Sequence, residues 1–248
     1  MLRELLARAE PAVVMVVCRD INTKGSGFLV SPDGYIVTNN HVVAEPTLQN
    51  DVVNFSYSRM ITAVVDGTPH TATLVSDYRD FRPIVYDYAI LKVVGLGNVP
   101  YFEVGNPGAV RRGDGVVCLG FLLDFDSLIA TNGIVSAVIS RASHVNSLHQ
   151  MRTIVSNALI QFGNSGGPML HAESGKVIGI NTLSHELRDV LARRLSTWYD
   201  HPDVAAVPGL RDLIRYSLKY TYVGLNHAVS IEHVRDDAAW PARREEAL

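Results

Sequence analysis

Brief runs of β-type residues, each stopped by Gly, Pro, Asn or Asp, constrain this chain most, because that rhythm suits an antiparallel sandwich or barrel and little else. A helical lead over Leu2 to Ala9 comes first. The first set of expected strands is Val13 to Val17, Gly27 to Val30, Tyr35 to Thr38, Val52 to Tyr57, Met60 to Val65, Thr71 to Val75 and Ala89 to Val93. Ser31-Pro32-Asp33-Gly34 has Pro second and Gly fourth, which predicts a type I turn closing a hairpin. A looser stretch, Gly95 to Arg112, then leads to a second set: Val116 to Gly120, Leu128 to Ala130, Gly133 to Ile139, Thr153 to Asn157, Pro168 to His171 and Val177 to Asn181. Two halves with a crossing linker are the simplest reading, with a lead over 1–10, a first unit over 11–110 and a second over 111–248.

From Leu183 to about Tyr220 the period lengthens to near 3.6. Leu187, Val190, Leu191, Leu195 and Trp198 share one helical face, and Leu210, Leu213, Ile214 and Leu218 share another. Ser184 suits the cap of the first helix and Pro208 the first turn of the second. The expectation is a helical hairpin inserted into an otherwise β chain, before a last strand from Tyr222 to Val229 and a short amphipathic tail.

Composition excludes several classes. Hydrophobic residues make up 47% and charged ones 19% of the 248, enough apolar material for a large core. A formal charge of −3 without basic runs argues against a nucleic-acid surface or a polybasic membrane patch. Cys18 and Cys118 lack metal-ligand spacing and read as buried thiols. His144 and His149 lack helical metal-pair spacing and read as surface residues, so no metal site is expected. No apolar stretch is long enough to span a bilayer and no signal peptide is legible, which sets the expectation of a cytoplasmic protein if the chain is complete.

The chemistry concentrates in Gly163-Asn164-Ser165-Gly166-Gly167-Pro168. Glycines on both sides of a serine allow a cramped turn that exposes the hydroxyl and aims amide N–H groups at one point. Ser165 is the candidate nucleophile, with the Gly163-Asn164-Ser165 backbone as oxyanion hole. A serine needs a base, and the base needs an orienting acid. His41 ends the apolar run Tyr35 to Val43, and Asp87 stands directly before the run Ala89 to Val93. Asp77 and Asp80 are rivals to Asp87.

These motifs resemble the protease domain of the HtrA/Deg family within the trypsin-like superfamily. Gly25 to Val30 resembles its GSGF strand, Ser31 to Val43 its SPDGYIVTNNHVV segment, and Asp87 to Val93 its D-x-A-x-L-K-V. Gly133 to Ser140, Gly163 to Pro168 and Val177 to Thr182 resemble its G-I-V-S-A, G-N-S-G-G-P and V-I-G-I-N-T segments. The resemblance implies an all-β fold of two perpendicular six-stranded barrels. His41 and Asp87 would sit on the first, Ser165 on the second, and the work would be cleavage of unfolded proteins without cofactor. It also suggests a homotrimer. Family members carry PDZ domains after the protease, and none is expected within this chain.

An insert of roughly 40 residues at Leu183 to Tyr222 is long for a connection, which makes it a candidate lid or partner-docking element. Leu159, Ile160 and Gln161, with Leu225, Asn226 and His227, are the candidate substrate-binding walls. Because Leu159 and Ile160 bring no charge, a small or medium aliphatic residue is expected before the scissile bond. His227 reads as a strand residue with its ring half exposed. A non-proteolytic, chaperone-like binding module on the same fold is the alternative function. Gly163-x-Ser165-x-Gly167 also fits an α/β-hydrolase elbow with Asp203 or Asp212 and His227, but the flanking strands argue against that fold.

Overall fold

In the computed structural model the described residues are 2–49, 52–76, 84, 86–122, 127–142, 150–161, 163–182, 206–211, 226–237 and 239–241. Helix α1 (Leu2–Ala9) buries Leu5 and Ala9 and keeps its charges outward, as its spacing predicts. A short 3-10 turn, Glu10–Ala12, follows, with its Pro in the first turn where a missing N–H costs nothing.

Strands β1 (Val13–Cys18), β2 (Thr23–Leu29) and β3 (Tyr35–Thr38) come next. One-turn helix α2 (Asn40–Val43) leads into a ribbon of β4 (Ala44–Gln49) and β5 (Val52–Tyr57). β6 (Ile61–Val65), β7 (Thr68–Leu74) and β8 (Ala89–Val93) complete the first half. β1, β2, β3, β8, β7 and β6 form a closed barrel, while β4 and β5 pair outside it. β6 shows the pattern that drives closure: Ile61, Ala63 and Val65 are buried while Thr62 and Val64 are only partly covered. The expected turn is present, with the Gly34 amide donating to the Ser31 carbonyl at 3.4 Å and the Ser31 hydroxyl accepting from the Tyr35 amide at 3.0 Å.

The second half has β9 (Gly115–Phe121), β10 (Leu128–Ala142), β11 (Gln150–Ser156), β12 (Pro168–His171), β13 (Val177–Thr182) and β14 (Asn226–Ser230), closed in the order β10, β11, β14, β13, β12, β9. Two strands expected from the sequence merge here. Thr131 and Asn132 read as a break, yet their pairing with Cys118 and Val117 carries the ladder through, so Leu128 to Ala142 is continuous.

The linker crosses between the barrels by backbone bonds to both. Phe102 donates to Leu29 at 2.9 Å, while Gly105 donates to Val177 at 2.7 Å and Val177 to Glu103 at 3.0 Å. One apolar cluster holds the first barrel's interior together with Val117, Leu119, Leu170, Val177 and Ile180 of the second. A separate cluster around Val135, Ile154, Met169 and Ile178 fills the second barrel. Burial of this kind stabilises by about 25 cal/mol per Å² of apolar surface, so the shared cluster joins the halves strongly.

The chain then returns to the first barrel through helix α3 (Glu232–Arg235), whose Val234, with Ala239 and Trp240 beyond it, is buried in the shared cluster. Cys18 and Cys118 are buried free thiols. The expected helical hairpin lies outside the described residues except for 206–211, as do Leu225, His144, His149, Asp77, Asp80, Asp203 and Asp212.

Candidate active site

β3 is buried along its length and delivers Asn39, in an extended conformation, as the residue that starts α2. His41 therefore lies in a helical turn rather than at the end of a strand; Val42 and Val43 prolong the apolar run in sequence but turn inward from that helix. Its ring Nδ1 is 2.8 Å from Asp87 Oδ2 and 3.0 Å from Oδ1. A carboxylate only accepts, so Nδ1 carries the proton and Nε2 is left with a lone pair.

Asp87 closes a tight turn before β8 with φ of 51°, a left-handed backbone that few non-glycine residues adopt. Neighbouring groups hold it there. Asn39 Nδ2 donates to the Asp87 carbonyl at 2.7 Å, and the His41 amide donates to Oδ1 at 3.1 Å. The Thr182 hydroxyl donates to Oδ2 at 3.2 Å from the other barrel. Burial of the His41 ring opposes its protonation, yet the charge of Asp87 and the hydrogen bond to it outweigh that cost and leave the imidazole pKa raised.

Ser165 lies at the mouth of the second barrel, 5% exposed. Gly166 donates to the Asn181 carbonyl at 2.9 Å and Asn181 donates back to Gly167 at 2.8 Å, so the end of β13 braces the serine loop one residue before Thr182 reaches Asp87. Gly166 has φ of 87°, and a Cβ there would stand 2.1 Å from the Ser26 carbonyl and 2.4 Å from Thr38 Oγ1. Only glycine permits this approach, which presses the serine loop against the segment carrying His41. A second contact repeats it, since a Cβ on Gly25 would touch both Val42 and the Ser165 carbonyl.

Ahead of the serine, the Asn164 amide donates to the Gln161 carbonyl at 3.0 Å, closing a turn, and Gly163 has φ of 99°, a left-handed backbone that favours glycine. Among the described residues neither the Gly163 nor the Ser165 amide has a backbone acceptor. The Ser26 hydroxyl fixes this turn from the first barrel, donating to the Gly163 carbonyl at 2.6 Å and accepting from the Phe121 amide at 2.8 Å.

The candidate pocket residues separate. Ile160 is buried among the second barrel's core residues. The Asn226 side chain donates to the Ala158 carbonyl at 2.8 Å and is buried. Leu159 and His227 are half-buried and Gln161 is exposed. Residues not singled out as site residues also bond the candidate site: Ser26 bonds Gly163, and Asn39 and Thr182 bond Asp87. Ser26 stands inside the GSGF motif, so a hydroxyl flanked by glycines was a signal present in the sequence. Among the described residues no group of three His, Cys, Asp or Glu gathers as a metal site.

With this geometry in hand, comparison with known proteins is decisive: the trypsin-like peptidase domain matches residues 25–180. The chain belongs to that family. A protein of Chlamydia pneumoniae described as a "Probable periplasmic serine endoprotease DegP-like" is 35% identical over 64% of this chain and 28% of its own length. One of Bartonella henselae with the same description is 37% identical over 64% of this chain and 27% of its own. The solved "HtrA-type protease AlgW with tripeptide" superposes with a TM-score of 0.60 at 30% identity, covering 73% of this chain and 54% of that one. The inactive form of the Rv3671c protease shares the fold, with a TM-score of 0.64 at 21% identity over 95% of this chain and 91% of that one.

These matches bear out the HtrA/Deg resemblance and assign the domain to the serine-type endopeptidases. The chain spans less than a third of the curated relatives' length. The expectation of a cytoplasmic protein is corrected: the relatives are named periplasmic. That expectation leaned on a missing leader, and the ends of a sequence covering so little of its relatives carry no such information. Among the described residues no helix is long and apolar enough to cross a membrane.

Proposed function

We propose that this chain hydrolyses peptide bonds in unfolded or flexible protein substrates through His41, Asp87 and Ser165. The observation that carries the reading is the Asp87 carboxylate, bonded at once to His41 Nδ1 and to Thr182 beside the serine loop. His41 Nε2 takes the proton of the Ser165 hydroxyl as its oxygen attacks the substrate carbonyl. The negative oxygen that results is received by the Gly163 and Ser165 amides. The imidazolium, stabilised by Asp87, then gives its proton to the departing amine, and water repeats the sequence to free the acyl group.

An aliphatic residue before the scissile bond fits a wall contributed by Leu159, and the relatives' names support a periplasmic setting. Fluorophosphonate labelling tests the chemistry. Wild type should take up the probe at Ser165 and cleave casein, and Ser165→Ala should do neither. A wild-type chain that remains unlabelled and inactive would return the reading to a binding module. A peptide library dominated by Lys or Arg before the cleavage point would refute the aliphatic preference.

A further inference from the structure

The residues on either side of Asp87 are both held by the segment that follows β14. The Tyr86 ring stacks on His233 with centroids 4.1 Å apart and planes 11° from parallel. The Tyr88 hydroxyl donates to Asp237 Oδ2 at 2.8 Å, a bond between two buried residues 149 positions apart. Asp237 Oδ1 also accepts from the Ala239 amide at 2.7 Å, which fixes the carboxylate to its own turn.

The same segment is anchored to the second barrel, since His233 Nε2 accepts from the Arg152 amide on β11 at 3.0 Å and the Ile231 amide donates to Ile178 of β13 at 3.1 Å. Between the two tyrosines, Asp87 holds its left-handed backbone, a strained conformation for a non-glycine residue that relaxes unless its neighbours prevent it.

We propose that His233 and Asp237 form a two-point clamp on Tyr86 and Tyr88 that positions the Asp87 carboxylate against His41. Because the clamp is rooted in β11 and in β13, the strand that ends in Thr182 and braces the serine loop through Asn181, it ties the acid of one barrel to the barrel that carries Ser165. These are positioning residues: neither reaches the substrate. The inference rests on the triad reading for its effect on rate, but its geometric content stands apart from it.

The experiment compares wild type, Tyr88→Phe, Asp237→Ala, Asp237→Asn and His233→Ala in saturating peptide hydrolysis and in NMR titration of the His41 ring. Tyr88→Phe and Asp237→Ala should lower kcat about tenfold or more while KM stays within about twofold. The His41 titration should move down toward its ordinary value as Asp87 drifts away. Asp237→Asn keeps an oxygen acceptor for the Tyr88 hydroxyl and should recover most of the rate, and His233→Ala should give a partial loss.

Variants that melt earlier yet keep wild-type kcat and an unmoved His41 titration would overturn the clamp. Should Asp237→Ala fail to fold, Tyr88→Phe, which removes one oxygen, decides alone. If wild type itself neither labels nor cleaves, the triad reading falls, and the His41 titration in Tyr88→Phe still decides the clamp.

Discussion

His41 binds its proton more tightly than a free imidazole because Asp87 stands 2.8 Å away. In the proposed triad His41 is a base only when neutral, so kcat/KM should rise with pH along a limb centred above the ordinary histidine value of 6.5. Asp87→Asn should shift that limb downward and lower kcat by about four orders of magnitude, because an amide no longer enforces the proton on Nδ1. A pH–rate profile of both proteins checks this. Gly166 is as exacting for a steric reason. With backbone oxygen 2.1 Å from where a Cβ would stand, Gly166→Ala should destabilise by more than about 4 kcal/mol or prevent folding, read by urea denaturation. These residues were legible because each sits in a short motif whose meaning is local. The burial of Ile160 was not: alone, an apolar residue beside the serine turn reads equally as pocket wall or core, and only the closed barrel shows it packed in the second cluster.

Among elements, β2 contributes more than barrel wall. Through Ser26 it binds the Gly163 carbonyl and receives the Phe121 amide, joining the serine turn to both barrels. Ser26→Ala leaves those groups without their partner and should cost about 1–3 kcal/mol, with slower fluorophosphonate labelling of Ser165 at unchanged substrate specificity. Strands with strong alternation or firm stops, such as β3, β8 and β12, were legible to the residue. β4 escaped because Ala44–Gln49 contains Glu, Pro and Gln and finds its strand character only by pairing with β5. The single turn at His41 escaped for a related reason: a four-residue helix leaves no periodicity to read. The clamp from α3 was out of reach because it depends on partners 149 positions apart.

For the whole molecule, acid should act through His233. Burial drives its pKa down to about 4, with the charge of Asp236 opposing only in part. The unfolded chain, with an ordinary histidine, binds more protons between about pH 6.5 and 4, so stability falls as pH drops through that window and levels off below it. His41 works in the opposite sense: its raised value gives stability that is full below 6.5 and lost as pH climbs through its folded value. Comparing wild type with His233→Gln isolates the first effect. Wild type should lose roughly 2 kcal/mol more than the variant between pH 7 and pH 4.5, measured by denaturant midpoints at each pH.

The apolar cluster common to both barrels has a consequence for safety. If the proposed triad does the cutting, a chain emerging from the ribosome, or one half-melted by stress, would hold its imidazole and its alcohol in separate pieces and would be harmless to its neighbours. Cutting power would arrive only with the last seam, so a damaged copy would disarm itself before becoming a substrate for intact ones.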